Sequence, residues 1–352
     1  MPRRKIERAT LYDVAKEAGV GAATVSRVIN GGHRVDPKTM QRIQEVMSQL
    51  GYQPSQAARS LKGSSTRTIG LIVPTITDPF FAAVATAAQA VARRNKYALI
   101  LLTSDDDARF EMGDLQIFER HRIDGLIMVP PRSNISSVWE YLNRIDIPVV
   151  SIDRPMGSPD ISSVLCDNYL ASKVAVDHLI GHGSRRILCL GDDSQLFTLK
   201  ERVRGHINAV EEARLPPLWS LDASSYEATG RIISEYMKQK GGIDAIFTLK
   251  SPCTVYVFEV LRRLKVKVPG KIRLLGFDDF PLATSLQPAI SVIQQPVSEM
   301  GRTAAVLLFD QLSGRRVATQ NVEIRSRLVL RESCGCPPET KNSAPLDWGL
   351  AQ

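Results

Sequence analysis

The sequence predicts an all-α N-terminal unit followed by a larger α/β core whose parallel sheets form two lobes. Three observations support this fold class. Residues 10–51 hold three short amphipathic helical patterns, the chain beyond residue 68 alternates apolar runs with helical segments, and the strand pattern of the core occurs twice. With 352 residues, 43% of them hydrophobic, the chain is long enough for two or three domains with buried cores.

The first predicted helix follows Thr10, a favourable N-cap with Asp13 three residues later. Its apolar residues recur at helical spacing, and Gly19 ends it. They are Leu11, Val14, Ala15 and Ala18. A third helix begins at Asp36-Pro37, where a capping side chain precedes proline at the first helical position. It is expected to bury Met40, Ile43, Met47 and Leu50 before Gly51.

The second predicted helix runs from residue 21 to residue 30 and has two unlike faces. Val25, Val28 and Ile29 share the apolar face. Little apolar bulk lies on the other face, which consists of Ala22, Ala23, Ser26, Arg27 and Asn30. Small residues beside one long hydrogen-bonding side chain suit the major groove of DNA. We therefore predict a helix-turn-helix; the alternative is an ordinary surface helix of a small bundle.

Residues 54–63 leave two interpretations open. The segment has too few apolar residues to fold alone, so it could be a plain linker. Alternatively, it could be a short helix whose Leu61 enters the minor groove between base pairs, with Arg59 and Lys62 near phosphates.

Eight apolar runs in the core are predicted strands, and they occur in two similar sets. The runs are residues 69–73, 98–102, 125–129, 148–152, 187–190, 245–248, 272–276 and 290–293. RTIGLIVP from Arg67 returns as RRILCLGD from Arg185, and similar echoes begin at residues 122 and 242 and at residues 147 and 272. The offsets of 118, 120 and 125 residues are nearly constant, which predicts two similar lobes in tandem with a cleft between them.

Polar residues follow several of these strands. Parallel sheets bind ligands beyond the carboxyl ends of their strands, so these residues predict a pocket, although each one alone reads as a turn or cap residue. Acidic groups accept hydrogen bonds from sugar hydroxyls, arginine donates paired hydrogen bonds, and Phe80 could stack on a ring. The group includes Asp78, Asp153, Arg154, Arg202, Lys250, Ser251 and Asp278.

The basic charge is concentrated at the N-terminus. The first 67 residues contain 12 Lys and Arg against 5 Asp and Glu, out of 45 and 37 in the whole chain. A positive excess confined to a small module indicates binding to a polyanion such as DNA.

Other classes of function find little support in the sequence. No apolar run resembles a signal-peptide core or a membrane span, which predicts a cytoplasmic protein without membrane contact. The five cysteines are expected to be reduced thiols. Cys334 and Cys336 form one close pair, and His178 and His182 form another. Each pair supplies only two of the three or four ligands that zinc needs, so a structural role is favoured for both. Catalytic and nucleotide-binding motifs are absent, which predicts no enzyme and no cofactor.

The segment TLYDVAKEAGVGAATVSRVINGGHRVDPKTMQRIQEVMSQLGYQPSQAARSL closely resembles the signature of the lactose-repressor/galactose-repressor family of bacterial transcription regulators. DPFFAAV, RIDGLIMVPP, IPVVSIDRP, GFDD and LVLRES follow in the family's order. The resemblance implies a helix-turn-helix headpiece, a hinge helix and a two-lobed core like that of periplasmic binding proteins, which holds a small effector. It also implies a homodimer on near-palindromic operator DNA.

Carried over by position, the resemblance assigns site residues. Ala22, Ala23 and Arg27 match base-reading positions, Ala58 and Leu61 match minor-groove positions, and Asp153, Arg202 and Asp278 match effector contacts. The full predicted DNA-binding set is Thr10, Leu11, Tyr12, Gly21, Ala22, Ala23, Thr24, Ser26, Arg27, Asn30, Ala58 and Leu61. The full effector-binding set is Phe80, Asp153, Arg154, Arg202, Lys250, Ser251 and Asp278.

The sequence departs from the family at Lys250-Ser251, where Asn-Asp is usual. With Arg154 and Arg202, Lys250 would make the pocket cationic, which favours an effector with a carboxylate or phosphate. Gly21 replaces the usual Ser or Thr cap, and Ser55 the usual hinge Asn, but glycine is an acceptable N-cap.

These features predict a headpiece at residues 1–54, a hinge helix and linker at 55–67, a core at 68–336 and a flexible tail at 337–352. The predicted function is an effector-controlled DNA-binding regulator, most simply a repressor. The alternative is a solute-binding protein of the same two-lobed fold, which would need a signal peptide and no basic headpiece. The identity of the effector, and whether it releases or promotes DNA binding, is left open.

Overall fold

The computed structural model describes residues 9–29, 34–52, 65–132, 135–314 and 318–337. The chain divides into two compact units at Thr66 and Arg67. The helices and strands of each unit are given below in chain order.

The N-terminal unit contains three helices, α1 (Leu11–Glu17), α2 (Ala22–Ile29) and α3 (Pro37–Gln49). Thr10 and Asp13 cap α1 reciprocally: the Thr10 Oγ1 accepts from the Asp13 amide at 3.3 Å, and the Asp13 carboxylate accepts from the Thr10 amide at 2.7 Å. Asp36 caps α3 by accepting from the Thr39 amide at 3.0 Å. The start signals that the sequence gives for α1 and α3 are confirmed.

A small core holds these three helices together. It is built from Val14, Ala15, Ala18, Val25, Ile43 and Val46, with Val28, Ile29 and Met47 packed against it. Leu50, which was expected to be buried, is 38% exposed because α3 ends at Gln49 and Leu50 is the capping residue beyond it. Val46 takes the inward position on the preceding turn.

The described part of the larger unit contains twelve strands. They are β1 (Thr68–Val73), β2 (Ala98–Thr103), β3 (Gly125–Met128), β4 (Val149–Ile152), β5 (Ser162–Cys166), β6 (Ile187–Leu190), β7 (Leu218–Ser220), β8 (Ala245–Thr248), β9 (Arg273–Phe277), β10 (Ser291–Gln294), β11 (Asn321–Ile324) and β12 (Arg327–Val329).

Eight helices and a short 3₁₀ turn accompany these strands in the described residues. They are α4 (Pro79–Arg94), α5 (Ala108–His121), α6 (Ile135–Ile145), α7 (Asn168–Gly181), α8 (Phe197–Glu212), α9 (Tyr226–Lys238), α10 (Ser251–Arg263) and α11 (Val297–Leu312), with the turn at Glu332–Cys334. None of the helices in the described parts of the chain has the length and apolar character needed to cross a bilayer.

The strands form two six-stranded sheets, one in each lobe. Their orders are β11-β5-β4-β3-β1-β2 and β12-β10-β9-β8-β6-β7. The described pairings are parallel except that β12 runs antiparallel to β10. The inner strands β3, β4, β6 and β8 are buried along their whole length, which explains their continuous apolar sequences.

The segments that recur in the sequence form strands at equivalent positions in the two sheets. β4-β3-β1 in the first sheet stands where β9-β8-β6 stands in the second. The predicted α/β class and its two lobes are therefore confirmed.

The lobes are not simply in tandem, because the chain passes between them three times. It enters the second lobe between β5 and α7, returns to the first between β10 and α11, and crosses again between β11 and β12. Two of these crossings touch: the Asp167 Oδ1 accepts a hydrogen bond from the Ser326 amide at 2.8 Å. The crossing between β10 and α11 contains Gln295, which lines a cavity together with Asp153 of the first lobe and Arg202 of the second.

Candidate functional site

Helix α2 presents the predicted DNA-reading residues on a partly exposed face. Ala23 and Arg27, one helical turn apart, are exposed, and Ser26 is half-buried beside them. Val25, on the opposite side, is completely buried. A short helix held by its apolar face, with an arginine on its outer face, has the shape needed to enter a major groove.

The remaining predicted DNA contacts divide into three groups. Thr10, Tyr12 and Gly21 are exposed, with Tyr12 at 75%, and Thr24 is half-buried. Leu11 and Ala22 pack against the core of the N-terminal unit, so their side chains are only partly available. Asn30, Ala58 and Leu61 lie outside the described residues, as do residues 55–64 of the predicted hinge and residues 338–352 of the predicted tail.

The predicted effector residues meet at the carboxyl ends of the strands in the larger unit. A cavity of about 130 Å³ is lined by six of them, Phe80, Asp153, Arg154, Arg202, Lys250 and Asp278, together with Asp78, Asp106, Thr198 and Gln295. Ser251, the seventh, lines a second cavity of about 160 Å³ that shares Asp78, Phe80, Asp278 and Gln295 with the first. The two spaces form one cleft between the lobes, which we call the interlobe cleft.

Asp153 and Asp278 occupy equivalent places in the two lobes. Each follows the matching strand, β4 or β9, with a left-handed backbone at φ 69° and 72°. Their amides donate to Val164 O at 3.0 Å and to Ile293 O at 2.9 Å. Burial raises the pKa of both carboxyl groups. Strained backbone at two related strand ends, beside one cavity, is typical of a functional site.

Arg202 is held in the cleft by four contacts. Its guanidinium donates to Leu249 O at 2.6 Å and to the Asn168 side-chain oxygen at 2.7 Å, and it lies 3.6 Å from the Asp278 carboxylate. It also stacks over the Phe277 ring at 3.6 Å. These contacts fix the guanidinium in one orientation, as a positioning group for a ligand requires.

Arg154 and Lys250 are also paired with carboxylates. Arg154 binds Asp106 through two nitrogens at 2.5 and 3.1 Å, and it donates to Pro130 O at 3.0 Å. The Lys250 ammonium lies 3.0 Å from the Asp192 carboxylate. Four aspartates and three cations line the first cavity. The expected cationic pocket is therefore wrong: the three basic side chains converge as predicted, but each one is neutralised by a neighbouring acid.

Sequence reasoning missed the cleft residues Asp106 and Gln295, and it missed Asp192, which pairs with the cleft residue Lys250. Asp106 and Asp192 follow β2 and β6, so the same strand-end signal could have found them. Gln295 carries no charge and gave no signal. Its amide nitrogen donates to Asp278 at 2.6 Å, whereas its buried Oε1 accepts no hydrogen bond from the described residues. The Asp192 Oδ1 is also buried and also accepts no hydrogen bond from the described residues. Buried acceptors without a donor indicate that hydrogen-bond donors come from a ligand or from water.

Comparison with known proteins gives the same division of the chain into two parts. Residues 10–55 match the model of bacterial regulatory proteins of the lacI family, and residues 66–332 match the model of periplasmic binding proteins and the sugar binding domain of that family.

Individual proteins resemble the chain over most of its length. The ribose operon repressor of Bacillus subtilis (strain 168) is 32% identical over 330 residues, which are 92% of this chain and 98% of that protein. A transcriptional regulator CelR–cellobiose complex has a TM-score of 0.69 at 25% identity and covers 93% of this chain and 100% of its own. A periplasmic binding protein/LacI transcriptional regulator from Alkaliphilus metalliredigens QYMF, complexed with D-xylulofuranose, has a TM-score of 0.67 at 27% identity, covering 76% and 98%.

Proposed function

Since the chain belongs to the LacI family of bacterial regulatory proteins, we propose that it is a transcriptional repressor whose affinity for operator DNA is controlled by a neutral sugar bound in the interlobe cleft. The headpiece at residues 1–54 binds the DNA, and the core at 68–336 binds the sugar. This function accounts for both parts of the chain, whereas a solute-binding protein would leave the LacI headpiece without a role.

The pairing of the cleft cations is the observation that carries the choice of a neutral sugar. Arg154, Arg202 and Lys250 already interact with Asp106, Asp278 and Asp192. A phosphate or carboxylate in the cleft would meet more acidic than basic side chains, because Asp78 and Asp153 also line it. Sugar hydroxyls, in contrast, can donate to these carboxylates and to the unpaired oxygen of Gln295.

The volume of the cleft and the ligands of related regulators also support a small neutral sugar as the effector. Its two cavities, of about 130 and 160 Å³, are smaller than the roughly 300–1,000 Å³ of pockets for drug-sized ligands. Phe80 lines both cavities and offers an apolar ring for the carbon face of a sugar. The related regulators described above hold cellobiose and D-xylulofuranose, which are both neutral.

On the DNA side, Arg27 is the principal base reader and the exposed Ala23 permits close approach to the groove. Residues 55–67 connect the two parts, and Ala58 and Leu61 within them bind the minor groove. The repressor acts as a homodimer on a near-palindromic operator, because a two-fold protein places two recognition helices on related half-sites.

Calorimetric titration of the full chain with a panel of ligands tests the effector class. The panel contains cellobiose, ribose and xylulose as neutral sugars, with cellobionate and ribose 5-phosphate as the charged counterparts of cellobiose and ribose. We expect at least one neutral sugar to bind and the charged compounds not to bind. Binding of the charged compounds alone would contradict the proposal.

The matched variants are Asp278→Ala and Asp222→Ala, since Asp222 is an exposed aspartate outside the cavity lining. Losing a charged hydrogen-bond acceptor for the sugar costs about 1.5–3 kcal/mol, or roughly 10- to 150-fold in affinity. Asp278→Ala is expected to show this loss and Asp222→Ala is expected to bind like the wild type.

A further inference from the structure

Two pairs of metal-binding side chains that lie far apart in the sequence meet in the second lobe. His178 is in the last turn of α7, and His182 is its capping residue. Cys334 is the last residue of the 3₁₀ turn, and Cys336 follows it after Gly335. The His178 Nε2 lies 3.3 Å from the Cys334 Sγ and 3.6 Å from the Cys336 Sγ, and the His182 Nε2 lies 3.3 Å from the Cys336 Sγ.

These separations match the edges of a tetrahedral metal site. With zinc–sulfur bonds of about 2.3 Å and zinc–nitrogen bonds of about 2.0–2.1 Å, sulfur and nitrogen ligands stand roughly 3.5 Å apart. The three measured sulfur–nitrogen distances lie within 0.2 Å of that edge. In addition, the two sulfurs and the His178 nitrogen all lie within 4.8 Å of one another.

The backbone holds the cysteine side of the cluster in place independently of any metal. The Ser333 Oγ donates to Leu274 O at 2.6 Å and accepts from the Ser291 amide at 2.8 Å, which ties the turn to β9 and β10. Gly335 has φ +100°, a conformation that favours glycine. With this left-handed glycine between them, both thiols lie close to His178, and that of Cys336 also lies close to His182.

The histidine side is equally suited to ligation. His178 and His182 stand four residues apart at the end of α7, so their rings lie on one helix face with centroids 4.6 Å apart. Imidazole nitrogens are common ligands for zinc, and two of them on one helix face can bind the same ion.

We propose that His178, His182, Cys334 and Cys336 form a Cys₂His₂ site for a borderline-soft divalent cation, with Zn²⁺ as the cation it fits best. Two thiolates and two imidazoles are a ligand set found in structural zinc sites, and they disfavour hard cations such as Mg²⁺ and Ca²⁺. Four protein ligands leave no open position, which indicates a structural site rather than a catalytic one.

The cysteine–histidine site is separate from the interlobe cleft and lies between the end of α7 and the segment that follows β12. Asn168, which contacts Arg202 in the cleft, begins α7, and His178 lies ten residues along the same helix. At 1.5 Å per residue the two are about 15 Å apart. A bound cation would therefore clamp the segment after β12 onto the far end of α7.

Metal content of the full-length protein is the first test. The protein is purified with a non-chelating reductant, incubated with Zn²⁺, freed of excess metal and analysed by elemental mass spectrometry. We expect one zinc per chain. A value near zero for folded, reduced protein would overturn the proposal, as would a Cys334–Cys336 disulfide in protein purified from the reducing cytoplasm.

The ligand set is tested with Co²⁺ and with single variants. Tetrahedral cobalt bound by thiolates gives intense visible bands and sulfur-to-metal charge-transfer absorption, so the wild-type spectrum reports on the ligands without any mutation. In Cys336→Ser and His178→Gln we expect zinc affinity to fall by more than the roughly 10- to 100-fold that removal of an outer-shell partner costs. Hydrogen-bonded thiols without a metal site would give no charge-transfer band and no difference between variants.

Matched controls use residues of the same types elsewhere in the chain. His121→Gln changes an exposed histidine at the end of α5, and Cys253→Ala changes a buried thiol in α10. Both are expected to bind one zinc with wild-type affinity. Equal losses in the controls and in the cluster variants would show that the metal is held elsewhere, which would overturn the assignment.

Discussion

In the proposed DNA interface, Arg27 is the residue that we expect to contribute most to sequence recognition. Ala22 and Ala23 can contact thymine methyl groups but cannot make hydrogen bonds, so the one long side chain among the three predicted base readers is Arg27. In Arg27→Ala we expect the preference for operator over scrambled DNA to fall by about 1–3 kcal/mol. Fluorescence anisotropy with both DNAs at one salt concentration measures this.

Arg42→Ala is the control for that measurement, because Arg42 is also exposed but belongs to α3. It is expected to leave the ratio of the two affinities unchanged, even if both affinities fall. An unaltered ratio in Arg27→Ala would show that Arg27 does not read bases.

Glu111 is expected to make the stability of the protein depend on pH. It is completely buried in α5, and its carboxylate accepts no hydrogen bond from the described residues. Burial and the nearby Asp106 raise its pKa from 4.5 to about 8. The folded state therefore binds this proton more tightly than the unfolded chain does, so the stabilising contribution is complete below pH 4.5 and is lost as the pH rises through about 8.

We expect Glu111→Gln to remove this dependence. The variant should resemble the wild type at pH 5 and should have the higher melting temperature at pH 9, because the wild type must then ionise a buried acid. Melting curves across this range measure the effect. Glu235→Gln, at an exposed position on α9, is the control, and the difference between its melting temperature and that of the wild type should be the same at every pH. A difference in melting temperature that is also independent of pH in Glu111→Gln would refute the prediction.

At the scale of elements, two glycines allow helices to approach closely. A Cβ at Gly301 in α11 would lie 2.7 Å from Val84 O in α4, and a Cβ at Gly205 in α8 would lie 2.3 Å from Tyr169 O in α7. Both obstacles are backbone atoms of a packed helix, which cannot move aside as a flexible side chain can.

Gly301→Ala should therefore lower the free energy of unfolding by about 1–3 kcal/mol, the usual cost of overpacking. Gly113→Ala is the control, because a Cβ there meets nothing within 4 Å. Alanine within helix α5 should stabilise the protein by roughly 0.5–1 kcal/mol. Urea denaturation measures both changes, and stabilisation by both substitutions would show that α11 is free to shift on α4.

The elements that could be predicted from the sequence are the ones whose burial leaves a local pattern. The eight predicted strands are observed because each has a continuous apolar run. The four that were missed, β5, β7, β11 and β12, lack one: β5 begins with two serines, β7 and β12 have three residues each, and β11 alternates between exposed and half-buried positions. They are defined by their pairing with other strands, which a local sequence pattern cannot reveal.

The candidate sites divide in the same way. Asp153 and Asp278 were predictable because each directly follows a parallel strand, at the end where α/β sheets bind ligands. The ion pair between Arg154 and Asp106 was not predictable from the sequence, because the two residues follow different strands and are 48 residues apart. The histidine and cysteine pairs were dismissed separately for lack of ligands, and only the fold brings them together.

At the scale of the whole core, the three chain crossings determine how a ligand can act. The interlobe cleft is lined by residues from both lobes, so a sugar bound there contacts both and favours the lobe arrangement that fits it best. A change in the arrangement of the lobes requires changes in the backbone torsion angles at the crossings, near Asp167, Gln295 and Ser326. In the proposed function, coupling between sugar and operator is expected to equal the difference in the free energy of sugar binding between two such arrangements.

Operator binding by the full-length protein, with and without the sugar identified by calorimetry, tests this coupling most directly. Anisotropy is measured on a labelled DNA fragment from upstream of the protein's own gene, with Asp278→Ala as the matched cleft variant. We predict that the sugar changes the operator affinity of the wild type by at least about 5-fold and leaves that of Asp278→Ala unchanged. Sequence-specific DNA binding that stays the same at saturating sugar, or the absence of specific binding under every condition, would contradict the account.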